Sequence, residues 1–406
     1  MSTAAEWDAA DALAPYRDRF VGASTDLVYF DGNSLGRPVA AAADRLGEFV
    51  HEEWGGRLIR GWDERWMDLP TVLGDDLARV TLGAAPGQTT IGDSTTVWLY
   101  KLIRAAVDAV VRRDAARTEI VIDSDNFPTD RYIAEGIAAE RGLTLRWIDV
   151  DTATGVTADQ LREAVSERTS LVILSHVAYR SAWLADAPEL TRIAHDAGAL
   201  VLWDVCHSAG SVPIALDEWD ADLAVGCTYK YLNGGPGSPA FGYVATRLQD
   251  ELTQPIQGWM GHADPFGMGA GYAPARGIRR FISGTPPILG MVAMQSMLEL
   301  IEAAGMEAIR AKSVALTSYA IELADATLPE VTVTSPRDPG LRGGHVTLHH
   351  GDMREVTARL WDRDVIPDYR DPGGLRIGLS PLSTSFAEVE AGMAAVGEEL
   401  RTGAHR

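Results

Sequence analysis

Residues 201–235 read VLWDVCHSAGSVPIALDEWDADLAVGCTYKYLNGG, two apolar runs that each end in residues able to do chemistry. The first delivers Asp204 and His207; the second delivers Thr228, Tyr229 and Lys230 ahead of a Gly-rich loop. Near-continuous apolar runs bounded by turn residues are the pattern of strands buried on both faces of a parallel sheet. Two neighbouring strands of this kind bring a carboxylate and an amine to one carboxyl edge, where open α/β sheets bind ligands. Asp204 and Lys230 are read as a cofactor pair: a Schiff-base lysine for pyridoxal phosphate, and an aspartate that keeps the pyridine nitrogen protonated.

Working outward, the same alternation continues on both sides. EIVID (119–123), LTLRWIDV (143–150) and LVILSHV (171–177) are expected strands before LVLWDVC (200–206), and LAVGCTY (223–229) and FGYVAT (241–246) follow it. Helices are expected at 131–141, after the capping-box opening Thr157–Gln160, and from Asp186 and Glu189 to a stop at Gly198. The pattern predicts an α/β large domain, residues 60–290, built on a mostly parallel sheet covered by helices. One long helix is expected from Met291 to Ala326. VTVTSP, GHVTLHH and LRIGLS then read as strands, with helices at 352–363 and from Phe386 to Leu400. Residues 1–59 and 291–406 are expected to form a smaller α+β domain.

Between these elements lie three polar or aromatic segments. In VYFDGNSLGRP (28–38), Gly32, Asn33, Gly36 and Pro38 are expected to supply unusual backbone angles. Trp54, Trp62 and Trp66 lie among Gly and Arg, either as a packing cluster or as the wall of an aromatic substrate pocket. Asp93, Ser94, Thr95 and Thr96 open a helical pattern, where hydroxyls either cap the helix or bind an anion at its N-terminus.

The formal net charge of −21 disfavours nucleic acid and anionic membrane as partners. The first twenty residues lack a basic region followed by an apolar one, and no run of about 18 apolar residues occurs. A cytoplasmic enzyme is expected. Cys206 and Cys227 read as buried core thiols without a disulfide, no metal site is expected, and adjacent His349 and His350 would face opposite ways on a strand.

Taken together, YFDGNSLG, the FPTD loop (127–130), SHV (175–177), DVCHSAG (204–210), TYKYLNGGPG (228–237), GWMGH (258–262), SGTPP (283–287) and LRIGLSPL (375–382) resemble the kynureninase family. These are fold-type-I pyridoxal phosphate enzymes of the class V aminotransferase superfamily. The resemblance runs over most of the chain and implies hydrolytic Cβ–Cγ cleavage of L-kynurenine, or its 3-hydroxy relative. The products would be anthranilate, or its 3-hydroxy form, and L-alanine, in tryptophan catabolism and the kynurenine pathway toward NAD. It also implies a homodimer with shared active sites. Lys230 would be the Schiff-base lysine and proton shuttle, Asp204 the pyridine partner with His207 close by, and Tyr229 a proton relay. Phe127 would stack on the ring and Asp130 contact it. Thr95, Thr96, Ser175 and Tyr229 would surround ring and phosphate, and Arg376 would clamp the substrate carboxylate. Trp259 and Thr285 would come from the partner subunit.

A class V aminotransferase or lyase acting on another amino acid shares the lysine and aspartate, and an inactive dimeric scaffold is the alternative from a different class. A cysteine desulfurase of this fold needs a nucleophilic thiol on a C-terminal loop, and no Cys occurs after residue 227.

Overall fold

Seven segments rich in Val, Ile, Leu and Ala line up as one sheet in the computed structural model, which describes residues 3–403. Across the sheet they run Thr89–Ile91, Ala240–Val244, Leu223–Cys227, Leu200–Asp204, Thr169–Ser175, Glu119–Asp123 and Thr144–Ile148. Ala240–Val244 runs against both of its neighbours, and every other pairing is parallel. The strand alternation divides the apolar side chains between two faces. Ile120, Ile122, Leu171, Ile173 and Leu202 face Leu99, Leu102, Ile103 and Ala106 of the helix Thr95–Arg113. Val121, Val172, Leu174, Val201 and Trp203 join the opposite core with Leu161, Leu190 and Ile193. Burial on both faces explains why the inner strands read as unbroken apolar runs, whereas the edge strand Thr144–Ile148 is largely exposed.

A second, antiparallel sheet runs Asp368–Arg370, Gly374–Gly378, His345–His349, Thr332–Val333. Val346, Leu348, Leu375 and Ile377 bury against the helices Met306–Thr327, Met353–Trp361 and Phe386–Gly403. The N-terminal segment serves both bodies. Leu13, Phe20, Val39 and Phe49 enter the core of the large sheet, whereas Val28 and Phe30 enter the smaller one.

Two expectations are corrected. The long helix from 291 to 326 is two helices, Ile288–Ala304 and Met306–Thr327, bent by 89°. The break is Gly305, whose φ of +79° suits glycine and whose turn lets the first helix pack on the large core and the second on the small sheet. In the 28–38 segment, Gly32, Asn33 and Gly36 are not among the left-handed residues. Close approach is the reason for the glycines instead: a Cβ on Gly36 would collide with the Lys230 carbonyl, and one on Gly32 with Ser380. The Gly36 N–H donates to the Tyr229 carbonyl at 2.8 Å. Among the described residues no single helix is long and apolar enough to cross a membrane.

Gly36→Ala is therefore expected to cost about 1–3 kcal/mol through overpacking against the backbone of Lys230. The readout is the denaturant midpoint, and an unchanged midpoint would count against the close approach.

Candidate active site

The carboxyl edge of the large sheet collects the chemistry. Leu200–Asp204 ends in Asp204, whose Oδ1 accepts the Cys206 N–H at 2.7 Å. Three residues beyond Leu223–Cys227 comes Lys230, only 8% exposed. Its Nζ lies 3.3 Å and 3.4 Å from Nε2 and Nδ1 of His207, and 5.7 Å from the centre of the Phe127 ring. Burial, reinforced by Lys230 and Arg376, holds the His207 pKa well below the ordinary imidazole value, so the lysine meets a neutral ring.

The loop after Glu119–Asp123 supplies the next wall. Phe127 is the N-cap residue of Pro128–Arg141 and packs edge-on against Tyr179, with centroids 5.3 Å apart. Asp130, in the first turn, is buried, and its Oδ2 has no hydrogen-bond partner. Desolvation and then the neighbouring carboxylates of Asp204 and Asp123 raise its pKa well above the usual range. Opposite, Ser94 caps the helix Thr95–Arg113 by accepting the Val97 N–H at 3.4 Å, which leaves the Thr95 and Thr96 hydroxyls for other partners. Burial pushes the Tyr229 phenol up, so it is a neutral donor at physiological pH.

These groups line one cavity of about 490 Å³: Thr95, Thr96, Phe127, Asp130, Asp204, Tyr229, Lys230 and Thr285 all border it. Thr285 thus lies on the cavity of its own chain, whereas the resemblance assigned it to a partner. Trp259 does not border that cavity; it is 39% exposed, edge-on to Phe266. Ser175 stands behind the wall, donating to Asn126 Oδ1 at 3.2 Å, and His207 stands behind Lys230. Arg376 does not border the cavity either. Its buried guanidinium donates to the Tyr179 carbonyl and the Ser34 hydroxyl, both at 2.8 Å, and pairs with Asp368, leaving Nε without a partner.

Sequence reasoning passed over Thr129 and Ser238, which border the cavity, and Asp123, buried at a strand end with a pKa raised to about 6 by desolvation. Asp123 was legible by the logic applied to Asp204, a carboxylate closing an apolar run. Thr129 and Ser238 carry no such signal. Cys206 and Cys227 are buried and not disulfide-bonded. Among the described residues no group of three or more His, Cys, Asp or Glu side chains is placed to hold a metal ion.

Over 399 residues the chain is 42% identical to the kynureninase of Pseudomonas fluorescens, covering 97% of this chain and 94% of that one. The chain belongs to the kynureninase family. The kynureninase of Burkholderia pseudomallei is likewise 42% identical over 387 residues, 94% of this chain and 91% of the other. The kynureninase C-terminal domain model matches residues 309–396, and the DegT/DnrJ/EryC1/StrS aminotransferase family model matches 116–213. In fold the chain is similar to a cysteine desulfurase from Thermococcus onnurineus, with TM-score 0.82, 19% identity, and coverage of 96% of this chain and 98% of the other. It is equally similar, at TM-score 0.82 and 21% identity, to a C-DES variant with glycine covalently linked to its PLP cofactor, over 94% and 99% of the two chains. The fold class is that of these structures. The kynureninase-family motifs around Asp204 and Lys230 lie on the cavity they share.

An acid whose folded-state pKa exceeds its unfolded value binds its proton more tightly when folded, so the ligand-free protein loses stability as pH rises above about 4 toward that raised pKa. Asp130→Asn removes this loss and is expected to raise the melting temperature of the ligand-free protein by roughly 1–3 °C at pH 8. The gain should be smaller at pH 5; an equal shift at both pH values would refute the carboxylate repulsion.

Proposed function

We propose that this chain binds pyridoxal 5'-phosphate and hydrolyses L-kynurenine between Cβ and Cγ to anthranilate and L-alanine, with 3-hydroxykynurenine as the related candidate substrate. The observation that carries the reading is the buried pair Asp130 and Asp204, facing the buried Lys230 across one cavity in a chain of the kynureninase family. Two adjacent buried carboxylates with an orphaned oxygen are costly without a cation. A protonated pyridine meets that need, and the residues present therefore fit the cofactor.

In this reading Asp204 would keep the pyridine nitrogen protonated with Asp130 close by, Phe127 would stack on the ring, and Thr95, Thr96 and the free N–H groups of their helix would hold the phosphate. When bound, the cofactor supplies an electron sink at the substrate α carbon. Lys230, its amine free once the substrate is bound, would take the proton from the substrate α carbon. Neutral His207 keeps the lysine in place without adding a competing positive charge. Water adds to the γ carbonyl, and cleavage of the hydrate moves the bonding pair to the β carbon, which is protonated as alanine is formed. Tyr229, a neutral hydroxyl, is assigned the proton transfer at the γ carbon. Ser175 supports the ring wall through Asn126, and Arg376, with its uncommitted Nε, is assigned the substrate carboxylate.

The finer proposals are a large domain of residues 60–290 with a small domain of 1–59 and 291–406, and a cytoplasmic homodimer in tryptophan catabolism and NAD biosynthesis. A core under the small sheet, separate from those on the two faces of the large one, supports the domain division, with Leu13, Phe20, Val39, Phe49 and Ile288–Ala304 leaning on the large side. The exposed Trp259 supports a contribution to a partner's cavity. Trp62, His262 and the GTPP loop are the proposed discriminators of the 3-hydroxyl group. The match to an aminotransferase model over 116–213 favours a second reading, amino transfer to a keto acid. Release of anthranilate from kynurenine with no keto acid present decides between them. Absence of both products from kynurenine and 3-hydroxykynurenine would sink the hydrolase.

Lys230→Ala is expected to retain fold and cofactor content while lowering kynurenine turnover on the order of 10³-fold, read as anthranilate fluorescence. Unchanged turnover would remove Lys230 from its role.

A further inference from the structure

Lys101 lies where a lysine is costly. Its side chain is 0% exposed, and its Nζ sits 3.7 Å from the centre of the Trp98 ring. The ammonium donates to Asp93 Oδ2 at 2.7 Å, to the Phe281 carbonyl at 2.6 Å and to Ser283 Oγ at 3.3 Å. Ser283 Oγ in turn donates to the same Asp93 oxygen at 3.2 Å. Lys101 does not border the cavity, yet it joins two segments that do: Asp93–Thr96 and the loop carrying Thr285. Asp93 poses the problem that this arrangement solves. It borders the cavity immediately before the helix N-terminus at Thr95, so a bare carboxylate there would repel a phosphate dianion. Its backbone is fixed at φ +49°, with its carbonyl accepting the Ala240 N–H at 3.0 Å, so it has little freedom to move away.

We propose that Lys101 is a positioning residue for the cofactor phosphate, neutralising Asp93 and tying it to Ser283 so that the helix N-terminus accepts a dianion. The inference rests on the pyridoxal phosphate reading. It assigns a function to a side chain that touches neither cofactor nor substrate, and it requires the charge of Lys101 only because Asp93 is charged.

Titration of cofactor-free protein with pyridoxal phosphate and with pyridoxal, which lacks the phosphate, followed by visible absorbance, tests it. Lys101→Met is expected to weaken pyridoxal phosphate binding by about tenfold or more, equivalent to about 1.4 kcal/mol, while pyridoxal affinity changes by less than about threefold. The double variant Asp93→Asn/Lys101→Met, with neither charge present, is expected to recover pyridoxal phosphate affinity to within about threefold of the parent. Equal losses for both ligands would mark a merely structural role, and undiminished binding or a failed recovery would overturn the charge-masking mechanism. If the single variant does not fold, the double variant carries the test: a parent-like preference for the phosphorylated ligand supports the inference, and a tenfold loss of that preference refutes it. A parent protein that binds neither ligand would instead overturn the pyridoxal phosphate reading itself.

Discussion

Two carboxyl groups, Asp130 and Asp204, are buried side by side at the carboxyl edge of a parallel sheet, with the Lys230 side chain bordering the same cavity. An arrangement like this is unfavourable in an isolated fold, because desolvation and mutual repulsion both oppose ionisation. It persists because the surrounding structure over-determines it. Asp204 is pinned by the register of Leu200–Asp204 against Thr169–Ser175 and by the Cys206 N–H. Asp130 is carried by the first turn of a helix that a four-residue loop joins to the strand Glu119–Asp123.

Placement of Lys230 depends on the same economy of space. Its backbone is approached so closely by Gly36 that no side chain fits between them, and the Gly36 N–H is bonded to the preceding residue. The N-terminal segment thereby packs against the backbone that carries the lysine. His207, kept neutral by burial, fills the space behind the amine. The Lys230 side chain is thus packed on two sides, without a carboxylate bonded to it among the described residues.

Electrostatics on the far side of the cavity follow the opposite rule. There a helix N-terminus and hydroxyls face outward for an anion, and the nearest carboxylate, Asp93, is tied back by Lys101. Buried carboxylates and a helix N-terminus with its hydroxyls therefore border one space of about 490 Å³. Kynureninase relatives from two bacteria, matched along nearly their whole length, place this chemistry in a family that cleaves a carbon–carbon bond.

Residue order alone determined the α/β architecture and the strand ends bearing Asp204 and Lys230, because buried parallel strands and their terminal polar residues are local patterns; the family came from the resemblance of its motifs. Distances between distant segments are not local, and these only the tertiary structure decided. The φ of +79° at Gly305 broke a continuous helical pattern, since packing two helices on two cores outweighed the propensity of the residues around it. Gly32 and Gly36 looked like turn glycines, yet their need is steric and comes from Ser380 and Lys230, far along the chain. Thr285 fell on the cavity of its own chain and Arg376 into a buried set with Asp368, Ser34 and Tyr179, positions that depend on how the second sheet docks. Lys101 carried no motif at all; its meaning arises from three oxygens brought to it from two loops, a juxtaposition that no periodicity encodes.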